Sequence, residues 1–213
     1  MTAPSTSPDG RTRCRWCAGA PEFLPYHDRE WGFPVADDLR LFEKLCLEGF
    51  QSGLSWRTIL NKREGFRQAF AGFDFQRVAR FTESDVNRLL QDPGIVRHRG
   101  KIEAVIHNAA RAQELVAEAG SLAAFFWAFE PRAENLPEPQ TASTTPESIA
   151  LSKELKRRGW KFVGPTTVFA FMQAMGLVND HAIGCEWRQQ AADARAGFQV
   201  PPHRGYLRHR DTV

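Results

Sequence analysis

Two pairs of metal-ligating residues sit near opposite ends of this 213-residue chain, Cys14 with His27 and His181 with Cys185. Together they form a Cys2His2 set. Zinc takes such donors in a tetrahedron with no open position, so the ion would be structural rather than catalytic. A shared ion would join the two ends and close everything between them into one loop. The spacings, Cys-x12-His and His-x3-Cys, match no zinc-finger pattern. Residue types alone therefore leave a second reading open, in which Cys14 and Cys17 are incidental loop thiols and His181 is a surface or capping histidine. Cys17 also sits where it could compete with Cys14.

Hydrophobic residues make up 42% of the chain and charged residues 25%, which suits one good core, in one domain or two interlocked halves. The longest apolar stretches, 122–129 and 168–175, fall far short of the roughly 20 residues a bilayer requires. No membrane partner is expected. Residues 1–13 are rich in Ser, Thr and Pro with no apolar core and read as a flexible tail, not a signal peptide. The cysteines, Cys14, Cys17, Cys46 and Cys185, do not form a disulfide framework, and a reducing cytoplasm fits them better. The formal net charge of +3 is too mild to establish nucleic-acid binding. Two basic segments stand out, Arg57 with Lys62, Arg63 and Arg67, and Arg97 with His98, Arg99 and Lys101. Each reads either as a solvated helix face or as a phosphate track.

Apolar periodicity predicts an all-α fold. Asp37 or Asp38 caps a helix carrying Leu41, Phe42, Leu45 and Cys46, which Gly49 ends. A second helix starts near Ser55 and carries Ile59, Leu60, Phe66 and Phe70. A third begins at Thr82, whose spacing to Asp85 resembles a capping box, and Asp92-Pro93-Gly94 stops it. The next places Ile102, Val105, Ile106 and Ala109 on one face, and 122–129 supplies a short apolar helix. Residues 131–146 read as a long connecting loop. Thr145 with Pro146 restarts a helix that Gly159 closes, and Pro165 opens the last strong one. Nothing shows strand alternation, and the stretch after Arg188 reads as a polar tail.

Two features carry chemistry. Glu48 falls about 20° from Leu41 and about 60° from Leu45 on a helical projection, so it points with the apolar stripe. It also sits at a helix C-terminus, where the macrodipole disfavours a carboxylate. Either it frays outward at Gly49 or it is held inward as an acceptor in a dry pocket. The following Gly49, Gln51, Ser52, Gly53, Ser55 and Trp56 form a small polar elbow ending in a large aromatic. A flat ring could stack there on Trp56 and be read by Gln51 and Glu48. The second feature is the run from Leu89 through Pro93, Gly94, Ile95 and Arg97 to Arg99, Gly100 and Lys101. Two amphipathic helices joined by a Pro-Gly-apolar turn make a helix-hairpin-helix, which offers backbone N–H groups and basic side chains to DNA phosphates. Any αα-hairpin with Pro-Gly in its turn has the same pattern.

Tyr26-His27-Asp28-Arg29-Glu30-Trp31-Gly32, Cys46-Leu47-Glu48-Gly49-Phe50-Gln51-Ser52-Gly53-Leu54-Ser55-Trp56, Arg97-His98-Arg99-Gly100-Lys101-Ile102 and Leu177-Val178-Asn179-Asp180-His181 closely resemble the 3-methyladenine DNA glycosylase I family. The likeness covers nearly all of 13–185. It implies an all-α helix-hairpin-helix glycosylase fold, with residues 14–45 plus 130–188 forming a zinc-closed terminal subdomain and 46–129 the hairpin subdomain, between tails 1–13 and 189–213. It also implies one structural zinc on Cys14, His27, His181 and Cys185. Glu48 would contact the excised base, Tyr26 and Trp56 would line its pocket, and Trp16 and Trp31 would neighbour it. Gly94, Ile95, Arg97, Arg99, Gly100 and Lys101 would meet the DNA. Phe50 stands where the family often has a polar residue, and no cysteine follows Cys185.

An adenine methylated at N3 is cationic in the nucleoside, so its glycosidic bond is already weak and little acid catalysis is required. The enzyme must extrude the base from double-stranded alkylated DNA, recognise a cationic ring and admit water at C1′. Aromatic faces and a buried carboxylate favour such a ring. Between Asp92 and Asp180 the chain has no aspartate, and no lysine offers itself as a Schiff-base nucleophile. The expectation is a monomeric, monofunctional glycosylase releasing 3-methyladenine. The alternative is a non-catalytic zinc-containing helix-hairpin-helix DNA-binding module, which would not need Glu48 on an apolar face. A zinc hydrolase would need an open coordination position, which a fourth ligand at Cys185 denies.

Overall fold

Helix α2, Asp38–Gln51, is buried on most of its circumference because residues on every side of it, from Leu41 and Phe42 to Leu47 and Phe50, are apolar. Asp37 caps it by accepting from Arg40 N at 2.8 Å. The computed structural model describes residues 3–204. Helix α1, Phe23–Arg29, precedes α2, and α3, Trp56–Asn61, follows it. Next come α4, Arg63–Ala69, α5, Phe75–Val78, and α6, Glu83–Gln91. The long α7, Arg99–Ala119, leads to α8, Leu122–Trp127. Helices α9, Pro146–Arg157, and α10, Pro165–Ala174, follow the long connection, and α11, Trp187–Ala196, comes last. The packing partners of α2 include α3, α7, α8 and α10, so segments from early, middle and late in the chain meet on one helix. The fold is all-α as the periodicity predicts. No described helix is long and apolar enough to cross a membrane.

The start and stop signals act as expected at several ends. The Thr82 side chain and Asp85 form a capping box on α6, and Thr145 with Ser148 forms another on α9, where Pro146 is the first helical residue. The expected long loop contains one short 3-10 turn, Ala133–Asn135. It is pinned where Asp180 accepts from Gln140 N at 2.8 Å.

Three expectations are corrected. The helix expected across 55–70 is two, because Lys62 leaves helical geometry and α4 restarts at Arg63. The N-terminal tail pairs with itself in two short antiparallel strands, β1, Ser5–Thr6, and β2, Thr12–Arg13. Arg13 is buried there, donating to Asp9 and Asp28 and lying 4.5 Å from the Trp187 ring. The stretch beyond Arg188 carries most of α11, anchored by buried Trp187 and Ala191, an apolar pair four residues apart on one face. Residues 205–213 of that expected tail lie outside the described residues.

Phe50 belongs to the core. Its ring centroid lies 4.6 Å from that of Phe66, in a run of aromatic contacts continuing to Phe70 and Phe73. The residue therefore packs inward and does not line the cleft beside Tyr26 and Trp56.

Candidate functional site

The ligating atoms of Cys14, His27, His181 and Cys185 lie within 4.8 Å of one another, and all four residues are buried. Cys14 comes from the loop after β2, His27 from α1, and His181 and Cys185 from the turn between α10 and α11. Cys14 Sγ is 3.6 Å from His181 Nδ1, and Cys185 Sγ is 3.6 Å from His27 Nε2. An ion with sulfur at about 2.3 Å and nitrogen at about 2.0–2.1 Å in a tetrahedron sets those edges near 3.6 Å. The donor set can hold a metal.

The outer contacts fix which ring atoms face inward. His181 Nε2 donates to Trp31 O at 3.1 Å and His27 Nδ1 to Asp28 Oδ1 at 2.8 Å, freeing the opposite nitrogens for a metal. Ala182 N donates to Cys14 Sγ. Hydrogen bonding from Cys14 and the two imidazoles holds the Cys185 thiol low, whereas Cys14 is pushed up by the shared contact and by burial. Gly32 has φ +85°, and a Cβ there would come 2.8 Å from His181 Nε2, so close approach of the backbone demands glycine. Cys17 points elsewhere, its thiol donating to Cys14 O.

An aromatic chain runs from this cluster to a cleft. Trp16 sits edge-on to His27, Trp31 and Tyr26, with centroids 5.4, 5.1 and 6.2 Å away. Tyr26, on α1 beside His27, then faces Trp56 at 5.3 Å. A cleft lies here, walled by Tyr26, Lys44, Leu47, Trp56 and Met175, with Glu30, Glu43, Arg63 and Arg67 among its charged residues. Its charges are cross-paired, Arg63 with Glu30 and Arg67 with Glu43.

Glu48 is held inward, 6% exposed, one turn before the end of α2. Lys44, one turn earlier on the same face, places Nζ 2.7 Å from Glu48 Oε1 and donates to the Tyr26 hydroxyl at 2.8 Å. The same ammonium lies 3.4 Å from the Trp56 ring centroid. Burial pushes its pKa down while Glu48 pulls the other way. Tyr26 is pushed well up by burial and by Glu48. Trp56 Nε1 is enclosed with no hydrogen-bond partner among the described residues. The site thus offers a carboxylate, a hydroxyl and an indole face. Gln51, the last residue of α2, is half-buried and does not line the cleft.

Sequence reasoning missed Lys44. Its spacing of four from Glu48 was the available signal, since it puts both on one helix face.

The hairpin between α6 and α7 packs its turn against α4, where a Cβ on Gly65 would strike Gly94 O. Ile95 is buried, Gly94 N donates to Asp92 Oδ1 at 2.7 Å, and His98 caps α7. Arg97 is exposed. Arg99 is engaged with Glu83, Asn87 and Glu103. Lys101 departs from expectation. It is buried, and its ammonium donates to Phe50 O at 2.9 Å and Ser52 O at 2.6 Å, capping α2 instead of facing solvent. A cation at the negative end of a helix is favourable there. The other basic segment is also spoken for: Arg57 pairs with Glu22, Lys62 donates to Pro93 O, and Arg63 and Arg67 serve the cleft.

A helical frame that sets a helix-hairpin-helix beside a cleft with a carboxylate and aromatic walls defines a DNA glycosylase fold. Residues 16–189 match the methyladenine glycosylase family, and the chain belongs to that family. It is 49% identical over 177 residues to DNA-3-methyladenine glycosylase 1 of Escherichia coli (strain K12), covering 81% of this chain and 95% of the relative. Identity to DNA-3-methyladenine glycosylase of Haemophilus influenzae is 44% over 178 residues, or 82% and 96% of the two chains. A crystal structure of a variant 3-methyladenine DNA glycosylase I in complex with 3-methyladenine matches with a TM-score of 0.77 at 36% identity, covering 83% of this chain and 97% of that one.

Proposed function

We propose that the chain is a base-excision repair enzyme that takes 3-methyladenine out of alkylated duplex DNA and hydrolyses its glycosidic bond without a lyase step. One observation carries the reading beyond family membership. The buried Glu48 carboxylate and the Trp56 face converge on a single point, and a positive charge, the Lys44 ammonium, already lies there. A site that stabilises a cation against an indole suits an N3-methylated adenine and is wasted on a neutral one.

In the reaction the nucleoside's positive charge draws the bonding pair of C1′–N9 onto the ring, and water supplies the new oxygen at C1′. The protein's task is to hold the flipped ring. Trp56 and Tyr26 wall it, and Glu48 accepts from its amino group and complements its charge. Trp16 and Trp31 act behind them, packing Tyr26 against the metal cluster. The residue types and edges at Cys14, His27, His181 and Cys185 fit zinc, one per chain. A closed Cys2His2 zinc supplies no Lewis acid to the substrate and contributes shape, joining α1, which carries Tyr26, to the chain's C-terminal segment.

Gly94, Arg97, Arg99 and Gly100 form the surface that meets the DNA backbone, with buried Ile95 seating the turn from beneath and Lys101 acting from inside through α2. The enzyme works as a monomer. Two subdomains, 14–45 with 130–188 and 46–129, flank the pocket, and α2 crosses their boundary. The test is release of free 3-methyladenine from alkylated duplex DNA by the purified protein. A chain that binds this DNA and releases no base is the non-catalytic module instead.

A further inference from the structure

The Lys44 ammonium sits where the cationic ring must go. It is 3.4 Å from the Trp56 centroid, 5.1 Å from the Tyr26 ring, 2.7 Å from Glu48 Oε1 and 2.8 Å from the Tyr26 hydroxyl. A purine stacked on Trp56 and bonded to Glu48 cannot share that volume. Lys44 is nonetheless one of the residues walling the open cleft, and its stem has four rotatable carbons, so the head can swing out while the backbone of α2 stays fixed. The same cleft carries Glu30 and Glu43, whose carboxylates, although paired with Arg63 and Arg67, keep acceptor sites for a displaced ammonium.

We propose that Lys44 is a specificity-determining residue, an internal cation that holds the base subsite of the free enzyme and yields it to a positively charged purine. The inference rests on the glycosylase reading above. A neutral adenine brings no charge to replace the one it must evict, so Glu48 would be left buried without a counter-charge, and the exchange is unfavourable. A cationic N3-alkylated ring replaces the ammonium with like charge. Once C1′–N9 has broken, its electron pair has neutralised the ring, while water has given its oxygen to C1′ and a proton to solvent. The ammonium then returns to Glu48 and Trp56 and expels the product. Charge thus sets both entry and exit.

Equilibrium titration of the full chain with two probes tests this: 3-methyladenine, and 3,9-dimethyladeninium, which is permanently cationic. Lys44→Met keeps the length and removes the charge. It is expected to bind the cation roughly tenfold tighter than wild type, with a smaller gain for the neutral base, because a bare carboxylate favours charge. Lys44→Arg keeps the charge and is expected to retain wild-type affinities. A Met variant whose affinity for the cation is unchanged or weaker, or an Arg variant that behaves like Met, overturns the proposal in favour of a purely supporting role. Acylation of Lys44 in wild type needs no mutant: saturating 3,9-dimethyladeninium is expected to raise its labelling by an amine-reactive ester several-fold. Labelling that stays constant or falls overturns the displacement. Wild type that releases 3-methyladenine from DNA but shows neither effect removes only Lys44's role. Wild type that binds neither probe and releases no base removes the activity reading as well.

Discussion

His27 donates from Nδ1 to Asp28 Oδ1 at 2.8 Å, and this neighbouring pair decides which imidazole nitrogen faces Cys185. Asp28 is itself gripped by Arg13 at 2.9 Å, so the strand pair near the N-terminus is tied to the ligand cluster through one carboxylate. Asp28→Asn keeps the side-chain volume and removes the charge that orients the ring. Zinc affinity is expected to fall about 10- to 100-fold, the usual scale for an outer-shell partner of a ligating histidine. Competition with a chromogenic chelator measures it, and equal affinity would show that Asp28 serves only Arg13.

Removing the ion itself acts on stability. If the site binds zinc about a hundredfold more tightly than the free concentration requires, binding adds about 2.7 kcal/mol. For a chain of this size that corresponds to roughly 5–10 °C in the unfolding midpoint. Cys185→Ala is expected to show a loss of that size, with base release per folded molecule changed much less. Calorimetry on protein of known metal content checks both, and metal-free protein with an unaltered midpoint would remove the clasp.

The ligand cluster and the inward Glu48 were legible in the sequence for different reasons. The ligands could be gathered by residue type although 153 residues lie between His27 and His181; residue types left the pairing of those distant ends open, and the resemblance made it an expectation. Glu48 could be placed because helical phase is a local property, and α2 is long enough to fix it. Lys44 was missed and Lys101 misplaced for one shared reason. Lysine is almost never buried unless paired, and the partners that bury these two, a carboxylate one turn away and two carbonyls at the far end of another helix, are decided by tertiary packing. The last helix escaped because α11 is mostly polar and buries only Trp187 and Ala191, its other anchors being polar contacts of Arg188 and Arg195.

Lys101 and Arg97 should therefore separate in experiment although four residues apart. Lys101→Ala strips the donor from Phe50 O and Ser52 O, and a charged hydrogen bond of this kind contributes about 1.5–3 kcal/mol. The expected loss is in stability to denaturant, with the salt dependence of DNA affinity unchanged. A shallower salt slope without a stability change would return Lys101 to the DNA surface.

Arg97→Ala is expected to do the reverse. Arg97 is exposed in the hairpin turn, so losing it should weaken binding to every duplex alike and reduce the logarithmic salt slope by about 0.9, one phosphate's share of counterion release. Stability should hold. Titrations at several salt concentrations decide it, and parallel slopes for the two proteins would mean that Arg97 meets no phosphate.

Glu48→Gln keeps the reach of the side chain and removes its charge. The substrate bond is already weakened by the cationic ring, so Glu48 is not asked to transfer a proton, and its loss costs recognition more than bond-breaking chemistry. A fall in kcat/KM of about 10- to 100-fold for 3-methyladenine release is expected, the size of one charge-assisted contact. The variant also leaves the Lys44 ammonium buried beside a neutral amide, so part of any decrease could come from unfolding. Rates are therefore to be read per folded molecule, from thermal or denaturant curves on the same preparation. Release at the wild-type rate would show that Glu48 exists to hold Lys44 and not the base, whereas a loss of 10⁴-fold or more would point to a proton-transfer role that the charge on the substrate makes unnecessary.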